Sequence, residues 1–270
     1  MKNKILSLCI LGLTMLSSCE EVIEIELKDP DPMFVIEGMV SDGNAPVEVR
    51  ISQTKKFYDD NSFQGVSGAV VWIGDDAGNQ ALLAEISRGI YQSLFLRGIP
   101  GRQYFLRVSI QDQLFTSSST MPFKVPIDTL YTQEKKYPGK TYLMPFVRFQ
   151  DPPETTNFYR FRLFINGDFV KTVDVEKDEF KNGLSIQKGV YYFGNEENET
   201  TEDDLGLKRG DTLTLEMQCI DREVFNFFFS LQQTLNQDVA APGNPIHNLQ
   251  GGALGYFSAY TSEKKTLVVE

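Results

Sequence analysis

The chain has 270 residues, 41% of them apolar and 23% charged, and its 37 Asp and Glu outnumber 26 Lys and Arg to give a net charge of -11. That acidic surplus leaves no spare cations to neutralise phosphates, so it disfavours nucleic acid as a partner, and a polybasic membrane patch with it. With 21 Gly, 12 Pro, 20 Phe and 11 Tyr and few stretches at helical period, the composition favours sheets and turns over a helical bundle.

Lys2 and Lys4 precede an apolar stretch from Ile5 to Leu16, which has the length of a signal-peptide core and is too short to cross a bilayer as a helix. Leu16-Ser17-Ser18-Cys19 follows and resembles a bacterial lipobox, in which small residues fit the peptidase and the thiol of Cys19 takes the lipid. Cleavage there predicts a signal peptide over 1–18 and a lipidated tether over 19–32. Of the other cysteines, Cys9 leaves with the signal peptide and Cys219 stays alone, which excludes a disulfide or a thiolate metal cluster. Cys219 shares its alternation with Leu213, Leu215 and Met217, the pattern of a core residue on a strand.

Strand signals then recur at short intervals. Phe34 to Gly38, the Asp42-Gly43-Asn44 turn, and Val47, Val49 and Ile51 begin a sheet. Val70-Val-Trp-Ile73, the polar turn Asp75 to Asn79 and Ala81 to Leu83 predict a hairpin. Gly89 to Tyr91, Gly98 to Gly101, and Tyr104, Leu106, Val108 and Ile110 complete an antiparallel unit. Its order resembles immunoglobulin- and transthyretin-like sandwiches, whose modules are mostly non-catalytic. The prolines of Met121-Pro-Phe-Lys-Val-Pro126 mark a break, so the expectation is a β-sandwich domain over 33–122, a linker over 123–128 and a β-rich domain over 129–270.

In the second region, Phe146 to Phe149 and the alternating Tyr159, Phe161, Leu163 and Ile165 read as strands. Asn166-Gly167 joins the latter to Phe169 to Val173, and Asn-Gly predicts a type I′ hairpin because both positions take positive φ. Further strands are expected at Val190 to Phe193, Thr212 to Ile220, Gly255 to Tyr260 and Thr266 to Val269. A helix near 221–236 is capped by Asp221, with Val224, Phe228, Leu231 and Leu235 on its apolar stripe. The fold class is therefore all-β with one helix. By analogy with closing strands rich in glycine, Gly251, Gly252 and Gly255 give the second domain a barrel-like form.

The ordered set Asp151-Pro-Pro153, Asn157-Phe-Tyr-Arg160, Phe225 to Leu231, Asn244-Pro245, Asn248-Leu-Gln-Gly-Gly252 and Leu254 to Tyr260 resembles the Bacteroidetes lipoproteins catalogued as domain of unknown function 4249. That resemblance covers nearly the whole mature chain. It implies an outer-membrane lipoprotein with a β-rich two-domain build, encoded beside TonB-dependent receptors, and it supplies no catalytic residue. In such lipoproteins, acidic residues after the lipidated Cys, here Glu20, Glu21, Glu24 and Glu26, resemble a signal for surface display. A solvated tether accounts for them equally well, so the membrane face is open. Asp128-Thr129-Leu130 and Asp211-Thr212-Leu213 resemble periplasmic O-glycosylation sites of the same phylum, and Thr129, in the linker, is the more accessible.

Catalytic chemistry is thin. His247 is the only histidine and lies in a loop without a nucleophile elbow. Ser262-Glu-Lys-Lys265 matches Ser-x-x-Lys without its partner motifs and reads as a polar turn. Glu196, Glu197, Glu199, Glu202, Asp203 and Asp204 crowd one segment and could offer weak Ca²⁺ ligation, but without EF-hand spacing they read as a solvated loop. Trp72, Tyr142 and Tyr256 are interface anchors or core residues. No cofactor beyond the lipid at Cys19 is expected, and no enzymatic activity. The expected function is a non-enzymatic accessory or cargo-capture subunit of a TonB-dependent transporter in the outer membrane. The alternative is a stand-alone lipoprotein holding a small molecule or glycan in its C-terminal β-domain.

Overall fold

The computed structural model describes residues 31–55, 63–137, 140–179, 182–190, 207–235 and 243–270. In β1 (Phe34–Ser41) and β2 (Val47–Gln53) the buried side chains alternate, so each strand turns one apolar face inward. They pair antiparallel through Ile36↔Ile51 and Gly38↔Val49. The facing layer contains β3 (Val70–Asp75), β6 (Gln103–Ile110), β7 (Gln113–Thr120) and the short β15 (Leu249–Gln250). Between the layers runs β4 (Gln80–Ser87), whose first half pairs with β3 and whose second half pairs with β5 (Ile90–Ser93), beside β2. A register shift between Glu85 and Ser87 accompanies that second pairing. Ile36, Val49, Ile51, Val71, Ile73, Leu106 and Val108 fill the space enclosed.

After an extended stretch through Pro122 and Pro126, β8 (Ile127–Tyr137) and β9 (Lys140–Gln150) form a long hairpin, and β13 (Ser185–Gly189) adds to β9 as a separate three-stranded sheet. Sequence reasoning missed β8 because Glu134, Lys135 and Lys136 interrupt its apolar pattern. It is an edge strand, where such charges are the rule. Opposite lie β10 (Phe158–Ile165), β11 (Asp168–Phe169), β12 (Asp174–Lys177) and β14 (Thr212–Ile220). The β10–β11 hairpin has φ of 53° at Asn166 and 93° at Gly167, as the dipeptide predicted. The following strand is shorter than expected: after Phe169 the chain leaves the ladder until β12. Of the expected strand Val190 to Phe193, Val190 lies just past β13 and the rest falls outside the described residues.

The largest departure is β16 (Leu254–Val268), one strand of 15 residues where two short ones were expected. Its first half runs parallel to β1, from Val35↔Leu254 to Ser41↔Tyr260. Its second half runs antiparallel to β14, from Cys219↔Thr261 to Thr212↔Val268. Ser262 to Lys265 is therefore strand and not a turn: ladder bonds to β14 override the polar composition, and alternate side chains reach water. Gly255 makes the parallel approach possible, since it sits at φ +104° and a Cβ there would stand 2.1 Å from the Ile36 carbonyl oxygen. Phe257 and Ala259 point into the first core and Leu267 packs on the second.

Among the described residues there is one helix, Arg222–Leu235. Asp221 caps it, its Oδ1 accepting from the Val224 N–H at 2.9 Å. Val224, Phe225, Phe227 and Phe228 pack on Phe158, Ile220 and Tyr256, so the aromatic stripe faces the sheet. The architecture is all-β with this helix, and the three-stranded sheet stays separate from a thirteen-stranded one. The C-terminal half is thus not a closed barrel. Gly255, expected to bend a barrel strand, brings β16 against β1 instead. Pro32–Glu270 forms one compact unit.

Candidate functional site

On a half-buried strand the outward positions should be polar, and β3 breaks that rule. Val70, Trp72 and Gly74 point outward while Val71 and Ile73 are fully buried. Across the ladder Trp72 stands opposite Leu82 on β4 and Arg107 on β6, and Gly74 stands opposite Phe105. Leu114 on β7 continues the face beyond Ser109. Trp72, the only tryptophan, is 38% exposed, and Val70, Leu82, Phe105 and Leu114 are exposed more. Between Trp72, Phe105, Gln80 and Arg107 lies a groove of about 490 Å³, floored where Gly74 has no side chain.

The β3–β4 turn at one end of this face is fixed by Asp75. Asp75 Oδ1 accepts from the Ala77 and Asn79 N–H groups, and Oδ2 accepts from Asn79 Nδ2 at 2.8 Å and from Arg102 at 2.5 Å. Burial pushes the Asp75 carboxyl up, but the bonds from Asn79 and Arg102 outweigh it and hold it below its ordinary value. In the groove itself Arg107 is the one charged lining residue. Its capabilities are burial of apolar area, stacking on Trp72 and a guanidinium contact, the composition of an interface anchor. Sequence reasoning named Trp72 but missed Leu82, Phe105 and Leu114. The signal was partial in Val70-Val-Trp-Ile73, since four consecutive apolar residues on a strand put two on each face, and only the fold decides whether the second face is covered.

The remaining candidates scatter. Cys19 and the acidic run from Glu196 to Asp204 lie outside the described residues. Tyr256 is buried against Phe227 and Phe228, so it is core, whereas Tyr142 is half-buried on β9. His247 is an exposed loop residue with Nδ1 3.0 Å from the Leu249 carbonyl. Cys219 is buried, and burial pushes its thiol up to about 11, which keeps it protonated and unreactive. Thr129 and Thr212 are both exposed. Thr129 sits at a bulge on edge strand β8. Thr212 is tied into the sheet, its N–H donating to Asn166 Oδ1 and the neighbouring Asp211 carboxylate accepting from Asn166 and Lys208.

A polar junction joins helix, β7 and β16. Ser119 Oγ donates to Asp221 Oδ2 at 2.6 Å and accepts from the Ala259 N–H, while the Thr120 N–H donates to the same carboxylate oxygen. On the outer face of β10 and β14, buried Glu216 pairs with Arg162 at 3.1 Å and accepts from Gln218, and the Arg160 guanidinium stacks on Phe228 at 3.8 Å. These groups pair with one another. Among the described residues, no group of three or more His, Cys, Asp or Glu could hold a metal ion.

Asn248, Gly251 and Gly255, from the sequence set that carries the family resemblance, act on the fold. The Asn248 side chain both donates to and accepts from the Phe257 backbone, fixing the start of β16. Among curated proteins, none matches the chain. The family model for a domain of unknown function, DUF4249, matches residues 20–266, and the chain belongs to that family.

Proposed function

We propose that the protein is a lipid-anchored, non-enzymatic accessory subunit that docks on a TonB-dependent receptor of the outer membrane and helps it capture cargo. The single observation that carries this reading is the apolar outer face of β4, β3, β6 and β7. Exposed Trp, Phe and Leu side chains grouped around an Arg cost solvation in a free monomer and match the composition of interface hot spots. Leu94 and Phe95, the latter 94% exposed, offer a second apolar projection from the β5–β6 connection. The lipobox at Cys19 supports the anchor. No described helix is long and apolar enough to cross a membrane.

The test is capture from native outer membranes in mild detergent. The wild-type chain brings down a receptor in stoichiometric amount, and Trp72→Ala combined with Leu82→Ser loses it. Equal recovery with the variant removes the face from the mechanism. The groove also has the volume of a small-ligand site, which favours it over the C-terminal interior, filled by the second core, as the place for the alternative ligand. A lone protein carrying a small molecule decides for that reading.

A further inference from the structure

Asp151, at the end of β9, and Asp178, just after β12, are both fully buried. Asp151 Oδ1 accepts from the Tyr159 hydroxyl, and Asp178 Oδ2 accepts from the Asn157 N–H at 2.9 Å. The other oxygens, Asp151 Oδ2 and Asp178 Oδ1, have no donor, yet the two carboxyl groups lie within hydrogen-bond reach of each other. Among the described residues no Lys or Arg bonds to either one. Two adjacent buried charges of the same sign without a counter-charge are strongly unfavourable. A single proton shared between the two carboxyl groups would satisfy both at once, leaving one negative charge braced by Tyr159 and Asn157.

We propose that Asp151 and Asp178 form a proton-dependent clasp that fastens the two sheets of the second region to each other. The placement supports that role. Asp151 directly follows β9 of the three-stranded sheet, its N–H donating to the Leu184 carbonyl, while Asp178 directly follows β12 of the facing sheet, its N–H donating to the Asn157 carbonyl. Among the described residues, the ionisable groups facing the pair are Tyr159 on β10 and, behind it, Cys219 on β14. Burial raises both, so neither ionises before the clasp does. Burial first, and then the neighbouring Asp178 carboxylate, raise Asp151 above its ordinary value, against the bonds from Tyr159 and the Gly183 N–H. A raised folded-state value means the stabilisation is complete below the unfolded value of 3.8 and is lost as pH climbs through the folded one. Releasing the proton to solvent leaves two facing carboxylates, and this end of the sandwich loosens.

The thermal midpoint of the mature chain in detergent, followed from pH 4 to pH 9, tests the clasp. The wild type loses stability as pH rises. Asp151→Asn keeps both hydrogen bonds through its amide without a titrating proton, and holds a flatter midpoint across the same range. An unchanged slope in that variant overturns the clasp. A wild-type midpoint restored at high pH by millimolar CaCl₂, with no such response in Asp151→Asn, also overturns it and assigns the pair to a cation. Should the variant not fold, hydrogen exchange on the wild type decides. Protection at the Asp151, Asn157 and Asp178 amides, corrected for intrinsic rate, falls with rising pH, and constant protection refutes the idea.

Discussion

The two halves of the molecule treat polarity in opposite ways. Among the described residues of the N-terminal sandwich the only buried carboxylate is Asp75, which is locked in its turn by Arg102 and Asn79, and the surplus apolar side chains stand on an outer face. In the second region Asp151, Asp174, Asp178 and Glu216 are buried beneath strands. Apolar surface kept outside costs solvation and is explained by contact with another surface. Charge kept inside costs desolvation and makes stability depend on protons and on pairing. Under the proposed function, the difference separates a half that docks on a partner from a half whose cohesion answers to its surroundings.

The contrast breaks most completely at the strand both halves share. Gly255→Val places a Cβ against the Ile36 carbonyl at a backbone angle that valine rarely adopts, and neither core can then close. The expected outcome is loss of the cooperative denaturation transition, read by circular dichroism. Glu216→Ala leaves Arg162 facing buried surface without its partner and costs about 3 kcal/mol, the low end for a broken buried pair because part of Arg162 stays in water. Urea denaturation measures it. Asp75→Asn acts on the acid side. Because the folded carboxyl lies below its ordinary value, its contribution is present above the unfolded value of 3.8 and disappears as pH falls through the folded one. The variant therefore shows a shallower loss of stability in acid, opposite in direction to Asp151→Asn. Trp72→Ala has the smallest effect on stability, about 1 kcal/mol because its indole is only part-covered, while receptor capture still falls.

Local chemistry was legible where a few adjacent residues decide the outcome. The Asn166-Gly167 turn, the bounds of β14 and the Asp221 cap all follow from dihedral preference, alternation and an unpaired N–H. What stayed hidden depends on distant partners. Ser262 to Lys265 reads as a turn until β14 supplies a ladder, and β8 reads as polar chain until its place at a sheet edge is known. Asp151 and Asp178 lie far apart in sequence, and no spacing rule links them: only the fold brings their carboxyl groups together. The groove was half legible, because an unbroken apolar run on β3 makes both faces of the strand apolar without saying whether the second is covered or which neighbours extend it.

Because β1 waits for a partner more than two hundred residues downstream, the two must be brought together across most of the chain, a slow step in any folding sequence. During synthesis, the early part of the protein therefore remains unfinished until the late part arrives. A truncated product lacking Leu254 onward exposes the flank of β1 to proteases and to pairing with other chains, so this one strand makes completeness a condition of survival.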